Sequence, residues 1–417
     1  MKKLKEERPD LQIAVAGCLA QKDRDVIRER APHVDVVFGT HNVGRATDLL
    51  DQARVSGPIT EIIEESEAFP SALPVKRDAN HAAWVTIQIG CDNSCAFCIV
   101  PAVRGKEISR PYSELVSEVE QLALTGVTEI TLLGQNVNSY GRDLTLKLRG
   151  AELTPESSQL VGDKWVEGPH TARPLFSDLL CSVAAVSGIR RVRYTSPHPK
   201  DFRPETITAM AQIPEVCEHL HLPLQSGSDK ILSAMHRGYT ADRYIQKVTA
   251  ARDEIPDLAL STDIIVGFPG ETDLDFERTL EVAAEVKFDN AYTFVYSPRP
   301  GTEAAESSEQ VVEAKTSADR MERLRKVIQR TSLKGNESRV GREEEVIVEG
   351  HSKRDKKMLT GRTRHNRLVH FPADRVIRPG SYAQVRVVEA RTFNLVGELV
   401  EVTAGAKHRT RIPVVSS

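Results

Sequence analysis

Three cysteines, Cys91, Cys95 and Cys98, fall within eight positions of the stretch IQIGCDNSCAFCIVPAVRG, residues 87–105. In a reducing compartment, thiols bunched this closely point to a metal or to catalysis rather than to cross-links. Structural zinc takes four ligands, and the neighbourhood is short of a fourth. Asp92 could serve only with strain, His81 is separated by a strand, and His198 lies far off in sequence. A redox pair of Cys95 and Cys98 leaves Cys91 without a purpose. The third chemistry is an iron–sulfur cluster, whose usual ligands are closely spaced thiolates. Three thiolates on four irons leave one iron without a protein ligand, and an open position lets a metal centre act on a substrate.

A loop with that chemistry needs a scaffold. The motif ends the apolar run WVTIQIG, the first of six candidate strands between residues 77 and 300; the others are EITLLGQN, RRVRYTS, HLHLPLQS, LALSTDIIVGF and NAYTFVYS. Amphipathic helices lie between them, such as SELVSEVEQLALTG, with Leu115, Val119 and Leu122 on one face and Gly126 as its stop. Strict alternation implies an α/β fold with a parallel sheet, open or curled into a partial barrel. Chemistry in such folds sits on the loops at the strand C-termini. The polar signatures GCDNSC, GQNVNSYG, TSPHPKD, QSGSDK and GFPGETD all follow strands.

The flanks read differently. Residues 1–73 look like an incomplete α/β unit: two strands, LQIAVAGCLA and VDVVFGT, around a charged helix, QKDRDVIRERAP, stopped by Pro32. Residues 142–174, after Tyr140-Gly141, show no period and are expected to form a long insertion or a partly disordered loop. A charged helical connector, 301–332, leads to five short β-like runs punctuated by Gly and Pro, which suggest a small oligonucleotide-binding type of barrel. The expected domains are therefore 1–73, 77–330 and 333–402.

The net charge of −3 over 417 residues hides an asymmetry. Residues 351–378 carry nine Lys/Arg against Asp355 and Asp374, an excess of seven, so the rest of the chain is at about −10 by subtraction. Basic side chains on a small barrel are a common means of holding RNA, although a run of this kind can also be a solvated loop. No apolar run is long enough to span a membrane and the charged start leads into no apolar h-region, so a cytoplasmic protein is expected. Cys181 and Cys217, in apolar surroundings, read as core thiols, and His198, between two prolines, as a hydrogen-bonded loop residue.

C-x3-C-x2-C with Phe97 just before the last cysteine resembles the signature of radical S-adenosylmethionine enzymes. The resemblance extends over nearly the whole chain. GCDNSCAFCIVPAVRGKEISRP, LLGQNVNSYG, YTSPHP, HLPLQSGSDKIL, STDIIVGFPGET and YSPRPGTEAA are similar to the MiaB-type tRNA methylthiotransferases, and the C-terminal runs resemble a TRAM domain. It implies a partial (β/α)6 radical-SAM barrel, preceded by part of an α/β domain and followed by a five-stranded OB-like barrel. It also implies a [4Fe-4S] cluster on Cys91, Cys95 and Cys98, with S-adenosyl-L-methionine on the open iron.

The implied activity is radical methylthiolation of C2 of N6-isopentenyladenosine at position 37, in the tRNA anticodon loop. A flavodoxin-type reductant and a sulfur donor would be partners. Alternatives are a threonylcarbamoyladenosine tRNA methylthiotransferase, or an RNA-binding protein with a non-catalytic cluster. Phe97, Gln135, Asn136, Ser226 and Asp263 are the candidate cofactor contacts, with Arg104 a further polar candidate. Cys18, in AVAGCLAQ, resembles the third ligand of a second, auxiliary [4Fe-4S] cluster. Its two companions would precede Met1, so an incomplete auxiliary site and little or no methylthiolation are expected.

Overall fold

The computed structural model describes residues 1–64 and 79–406; the expected boundary between residues 73 and 77 lies outside the described residues. The chain forms two compact units: Met1–Lys76 with Gln88–Ser94 and Cys98–Arg110, and Arg77–Ile87 with Cys95–Phe97 and Pro111–Ser417.

In the first unit, parallel strands Ala14–Ala16, Val36–Phe38 and Ile59–Glu61 form a sheet in that order. The third strand, beyond Gly57-Pro58, is absent from the two-strand reading of the sequence. The expected charged helix is two, Cys18–Asp23 and Asp25–Arg30, because the chain turns at Arg24, whose φ is 47°. A small hairpin, Gln88–Ile89 against Ile108–Ser109, also belongs to this unit.

The second unit holds all six expected α/β strands. Ala82–Thr86, Glu129–Leu133 and Arg191–Tyr194 pair in parallel, as do His219–His221, Ala259–Val266 and Asn290–Val295, and a parallel bridge joins Val192 to Val216. The order follows the chain, as in a partial barrel. One apolar core, including Val85, Ile130, Val192, Leu220, Leu260 and Leu324, fills the space between strands and helices. Leu115 and Val119 of helix Tyr112–Leu124 are buried in it, and Gly126, with φ 95°, ends that helix.

Two loop signatures are tied to each other. The Ser228 hydroxyl donates to Asp275 at 2.6 Å, and the Thr279 hydroxyl meets Ser226 Oγ at 3.3 Å and the Gly227 N–H at 3.0 Å. Asp275 also completes a capping box with Thr272 at the head of helix Asp273–Val286. Burial raises the Asp275 pKa, but hydrogen bonds from Ser228, Thr272 and Lys230 outweigh it and bring it down to about 2. QSGSD is therefore bonded to the helix that GFPGETD leads into.

Residues 142–174 are ordered rather than looped. Three short helices, Arg142–Leu148, Ser157–Val161 and Asp163–Val166, bury Trp165, whose indole N–H donates to Thr171 O at 2.9 Å. One buried tryptophan supplies the apolar area that a helical period would otherwise have advertised. Asp178 fixes the segment from below through Lys164 and Arg173, each at 2.7 Å.

Helix Ala314–Glu337 leads to a closed barrel of strands Glu343–His351, Met358–Thr363, Leu368–Pro372, Leu395–Ala404 and Tyr382–Ala390 in spatial order. Its seat on the (β/α) core is polar. Buried Arg191 donates to Arg362 O at 2.8 Å and Glu345 O at 2.9 Å and pairs with the Glu345 carboxylate at 2.8 Å. Arg193 donates to Thr363 O at 2.8 Å and Arg364 O at 2.9 Å. The Tyr382 ring lies under the guanidinium of Arg190, 3.9 Å away, and its hydroxyl donates to Thr128 at 3.0 Å.

Candidate active site

Both ends of the cysteine motif belong to the smaller unit and its middle, Cys95–Phe97, to the larger. In the smaller unit, the Cys91 N–H donates to Gly105 O at 3.2 Å. Gly90, just before it, has φ 73°, and a Cβ there would lie 1.9 Å from Lys106 O, so only glycine fits. Asp92, weighed above as a zinc ligand, instead accepts the Glu107 N–H at 3.0 Å. Cys98 is followed by helix Val100–Arg104, whose last residue turns its Nε–H to Cys18 Sγ at 3.4 Å. Thr40 Oγ1 donates to Val103 O at 2.6 Å and fixes the same helix.

In the larger unit, Ala96 is anchored at both ends: its N–H donates to Met235 O at 3.2 Å and its carbonyl accepts from Ala304 N–H at 2.9 Å. Phe97 packs in an apolar cluster with Ala96, Ile231, Met235, Phe268 and Ala304, its ring edge-to-face with Phe268 at 6.4 Å. Its side chain thus anchors the loop, and its carbonyl accepts from Arg299 at 3.3 Å.

Arg237, which the sequence reading passed over, meets Cys95 in this unit. Its Nη1 donates to Cys95 Sγ at 3.2 Å and its Nε to Tyr239 Oη at 3.2 Å. Only 6% of Arg237 is exposed. Burial works against its charge, but the neighbouring Tyr239 and Cys95 outweigh this and hold its pKa above the ordinary value. Tyr239 is fixed in turn by the carbonyls of Pro223 and Leu224, at 3.0 and 2.9 Å. The only sequence signal was position, since MHRGYT directly follows the helix begun by QSGSD.

The remaining candidates divide. The Gln135 Oε1 is buried without a hydrogen bond, an acceptor looking for a donor. Asn136 has both ends of its amide engaged, donating to Asp201 at 2.7 Å and accepting the His198 N–H at 3.2 Å, so it ties GQN to SPHPKD. Ser226 is fully buried in the loop contact with Thr279. Asp263 is part exposed and lies 3.4 Å from His221 Nε2. His198 accepts the Lys200 N–H through Nδ1 at 3.1 Å. Burial, with Arg237, Lys200 and Lys247 nearby, lowers its pKa to about 2 and keeps it neutral. Cys217 is buried as expected, whereas Cys181 is exposed on the outer side of helix Phe176–Ala184, not a core thiol.

Among the described residues, no group of three or more His, Cys, Asp or Glu side chains converges as a metal-holding set. The donors themselves suit iron and sulfide. Cys18, Cys91, Cys95 and Cys98 are each part exposed. Cys18 and Cys95 each receive a guanidinium N–H, the charge-assisted donor suited to a sulfur carrying negative charge.

Residues 85–283 match the model of the Radical SAM superfamily and residues 337–400 that of the TRAM domain. The chain is 46% identical over 402 residues to the tRNA-2-methylthio-N(6)-dimethylallyladenosine synthase 1 of Mycobacterium marinum, covering 95% of this chain and 73% of that protein. It is 48% identical over 399 residues to the synthase of that name from Streptomyces coelicolor, covering 94% and 74%. The one from Thermobifida fusca is 47% identical over 404 residues, covering 95% and 76%. Among solved structures, the cobalamin-dependent radical enzyme OxsB gives a TM-score of 0.47 at 11% identity, over 73% of this chain and 43% of that one. Among the described residues, no helix is long and apolar enough to cross a membrane.

Proposed function

The chain belongs to the tRNA-2-methylthio-N(6)-dimethylallyladenosine synthase family, and on that premise we propose that it is a radical methylthiotransferase acting at C2 of N6-isopentenyladenosine at position 37 of tRNA. The observation that carries the reading is the cysteine motif, three cysteines in eight residues at the loop after the first strand, with Arg237 donating to Cys95. We assign Cys91, Cys95 and Cys98 as the ligands of the radical cluster and Cys18 as a ligand for an auxiliary one. Domains of 1–73, 77–330 and 333–402 divide the work between sulfur handling, radical chemistry and RNA binding.

A [4Fe-4S] cluster on these thiolates, with S-adenosylmethionine on its open iron, supplies one-electron reduction and an adenosyl radical when bound. The rest is the work of the chain's residues. Arg237 fixes Cys95 and sets positive charge beside its sulfur. Phe97 keeps the loop on the apolar wall. Gln135 offers a buried acceptor to a bound cofactor, while Asn136 holds the loop that presents it. Ser226 shapes the opposite loop, and Asp263, beside His221, is a polar group for a substrate or cofactor donor. The exposed lysines and arginines of the C-terminal barrel hold the anticodon stem and loop, and the base is unstacked to reach the radical. A flavodoxin-type reductant and a sulfur donor complete the reaction in the cytoplasm.

The test is reconstitution with iron and sulfide, followed by reduction with S-adenosylmethionine present. 5′-Deoxyadenosine supports the radical step of the proposal, and methylthio-isopentenyladenosine in digested tRNA supports the transfer step, for which Cys18 alone leads to an expectation of little or no product. Iron and colour without 5′-deoxyadenosine leave an RNA-binding protein with a non-catalytic cluster.

A further inference from the structure

In the larger unit, a cavity of about 490 Å³ opens between the (β/α) strands and the C-terminal barrel. Trp84, Tyr292 and Phe393 line it, and each is more than half exposed: 65%, 53% and 68%. Aromatic residues make up only 5% of the chain, so three exposed rings around one hollow are not a surplus left on the surface.

The rings are held ready. Tyr292 meets the edge of the His221 ring, centroids 5.9 Å apart. Phe393 sits in a turn closed by Arg391 N–H donating to Asn394 O at 2.9 Å. Buried Asn336, on the long helix, pins that turn by donating to Arg391 O at 2.6 Å and Thr392 O at 3.2 Å. Arg367 holds Asn336 in place and also pairs with Asp289.

Between the rings the wall is polar: beside the charged residues Asp289, Arg362, His365 and Arg367 it presents an uncharged hydroxyl and imidazole. Ser261 Oγ lies 3.1 Å from His219 Nε2 and 3.0 Å from His221 Nδ1. Burial and the nearby Arg193 push the His219 pKa well below its ordinary value, so this imidazole is neutral. A hydroxyl between two ring nitrogens, flanked by exposed aromatic faces, can both stack a planar heterocycle and hydrogen-bond its edge.

The cavity reaches from Thr195 and Ser196, in the loop after strand Arg191–Tyr194, down the strands away from the cysteine loop. Ser261 lines it near the start of strand Ala259–Val266. Phe268, which packs on Phe97 of the cysteine loop, follows the other end. The five residue-to-residue steps from Ser261 to Val266 span about 16 Å at the usual rise per strand residue.

We infer that this cavity is a second base-binding pocket, which takes an unstacked nucleobase flanking the modified purine and clamps it with Trp84, Tyr292 and Phe393. The inference rests on the RNA reading above and deepens it: the substrate loop would be held open at two points, one base at the cysteine end and one here.

The test is fluorescence anisotropy of the full chain with a labelled anticodon stem–loop RNA, made abasic at each loop position in turn. Phe393→Ala and Tyr292→Ala each weaken binding about tenfold, the size of one lost base–aromatic stack. Removing one flanking base weakens the wild type by the same factor and costs the variants nothing more, while Phe393→Trp restores affinity. Both rings are exposed, so melting temperatures stay within a degree or so of wild type. Coupling to the modified purine itself would make the cavity that base's own site and overturn the inference. So would no coupling at any position. Failure of the wild type to bind the intact stem–loop would instead remove the RNA reading on which the inference stands.

Discussion

At the cysteine loop, one buried arginine, Arg237, faces a single sulfur and a phenol. At the seat of the C-terminal barrel, Arg191 and Arg193 face backbone carbonyls and the carboxylates of Glu345 and Glu129. The same side chain does opposite things. Neither a thiol nor a phenol cancels a guanidinium, so the charge of Arg237 is kept for a thiolate at Cys95, as the proposed cluster requires. At the seat the carboxylates close the circuit, and the positive charge serves only to hold two folded bodies together. An arginine is read by what balances it.

The largest effect separates the two regions outright. Replacing any of Cys91, Cys95 or Cys98 by Ser removes a thiolate from the proposed radical cluster, and 5′-deoxyadenosine formation falls below detection. All three are in one loop and none is a residue of the barrel seat, so the melting temperature changes little. Residual radical formation in any of the three single variants would sink their assignment as ligands.

Arg191→Ala works the other way. It leaves the carbonyls of Arg362 and Glu345 without their donor, at about 1–3 kcal/mol for each unsatisfied group, while the part-exposed Glu345 carboxylate keeps Arg190. Melting falls by on the order of 10 °C for a body of this size, while a reconstituted preparation kept cold still makes 5′-deoxyadenosine. An unchanged melting curve would mean that the seat is not held by this arginine.

The basic run at 351–378 shows why part of the molecule was legible and part was not. The six strands and the small barrel could be read because apolar runs, glycine stops and polar loop signatures are local in sequence. The cysteine motif is local too. The partners of a charge are not. Arg364 pairs with Glu218 at 2.8 Å, far away in the chain, Arg367 with Asp289, and Arg362 with Glu349 at 3.3 Å. Three of the nine basic residues therefore contribute to holding the fold, and nothing in their spacing could have said so. Lys353, Arg354, Lys356, Lys357, Arg375 and Arg378 are exposed, and they are the ones left for the proposed RNA contact. Arg237 escaped notice for the same reason: its partner, Cys95, is distant in sequence.

That division can be measured. Lys356→Ala with Lys357→Ala reduces the slope of log affinity against log salt by about 0.7 for each single-strand phosphate that the protein no longer neutralises. Arg364→Ala leaves the slope alone and lowers the melting temperature, because its charge already belongs to Glu218. A slope change in Arg364→Ala would return that residue to the RNA.

The smallest effect lies in the same seat and is a matter of pH. His365 Nε2 is 3.0 Å from Asp257, and its Nδ1 is 3.6 Å from Glu344, while Arg339 pairs with both carboxylates. Burial lowers the His365 pKa and Arg339 opposes its charge, but the two carboxylates prevail and hold it above its ordinary value of 6.5. A raised pKa means that the imidazolium stabilises the fold fully below 6.5, and that this contribution is lost as pH rises through the raised value. Asp257 and Glu344 are both lowered by these partners despite burial, so their contribution is lost only as pH falls below the usual carboxylate range. The seat is thus firmest between about pH 5 and 6.5. Above that, the wild-type melting temperature should decline with a slope that His365→Gln removes, by roughly 1.4 kcal/mol for each unit by which the pKa is raised. Parallel curves for the two proteins between pH 6 and 9 would show that the imidazole carries no charge there, and that arginines alone hold the barrel to the core.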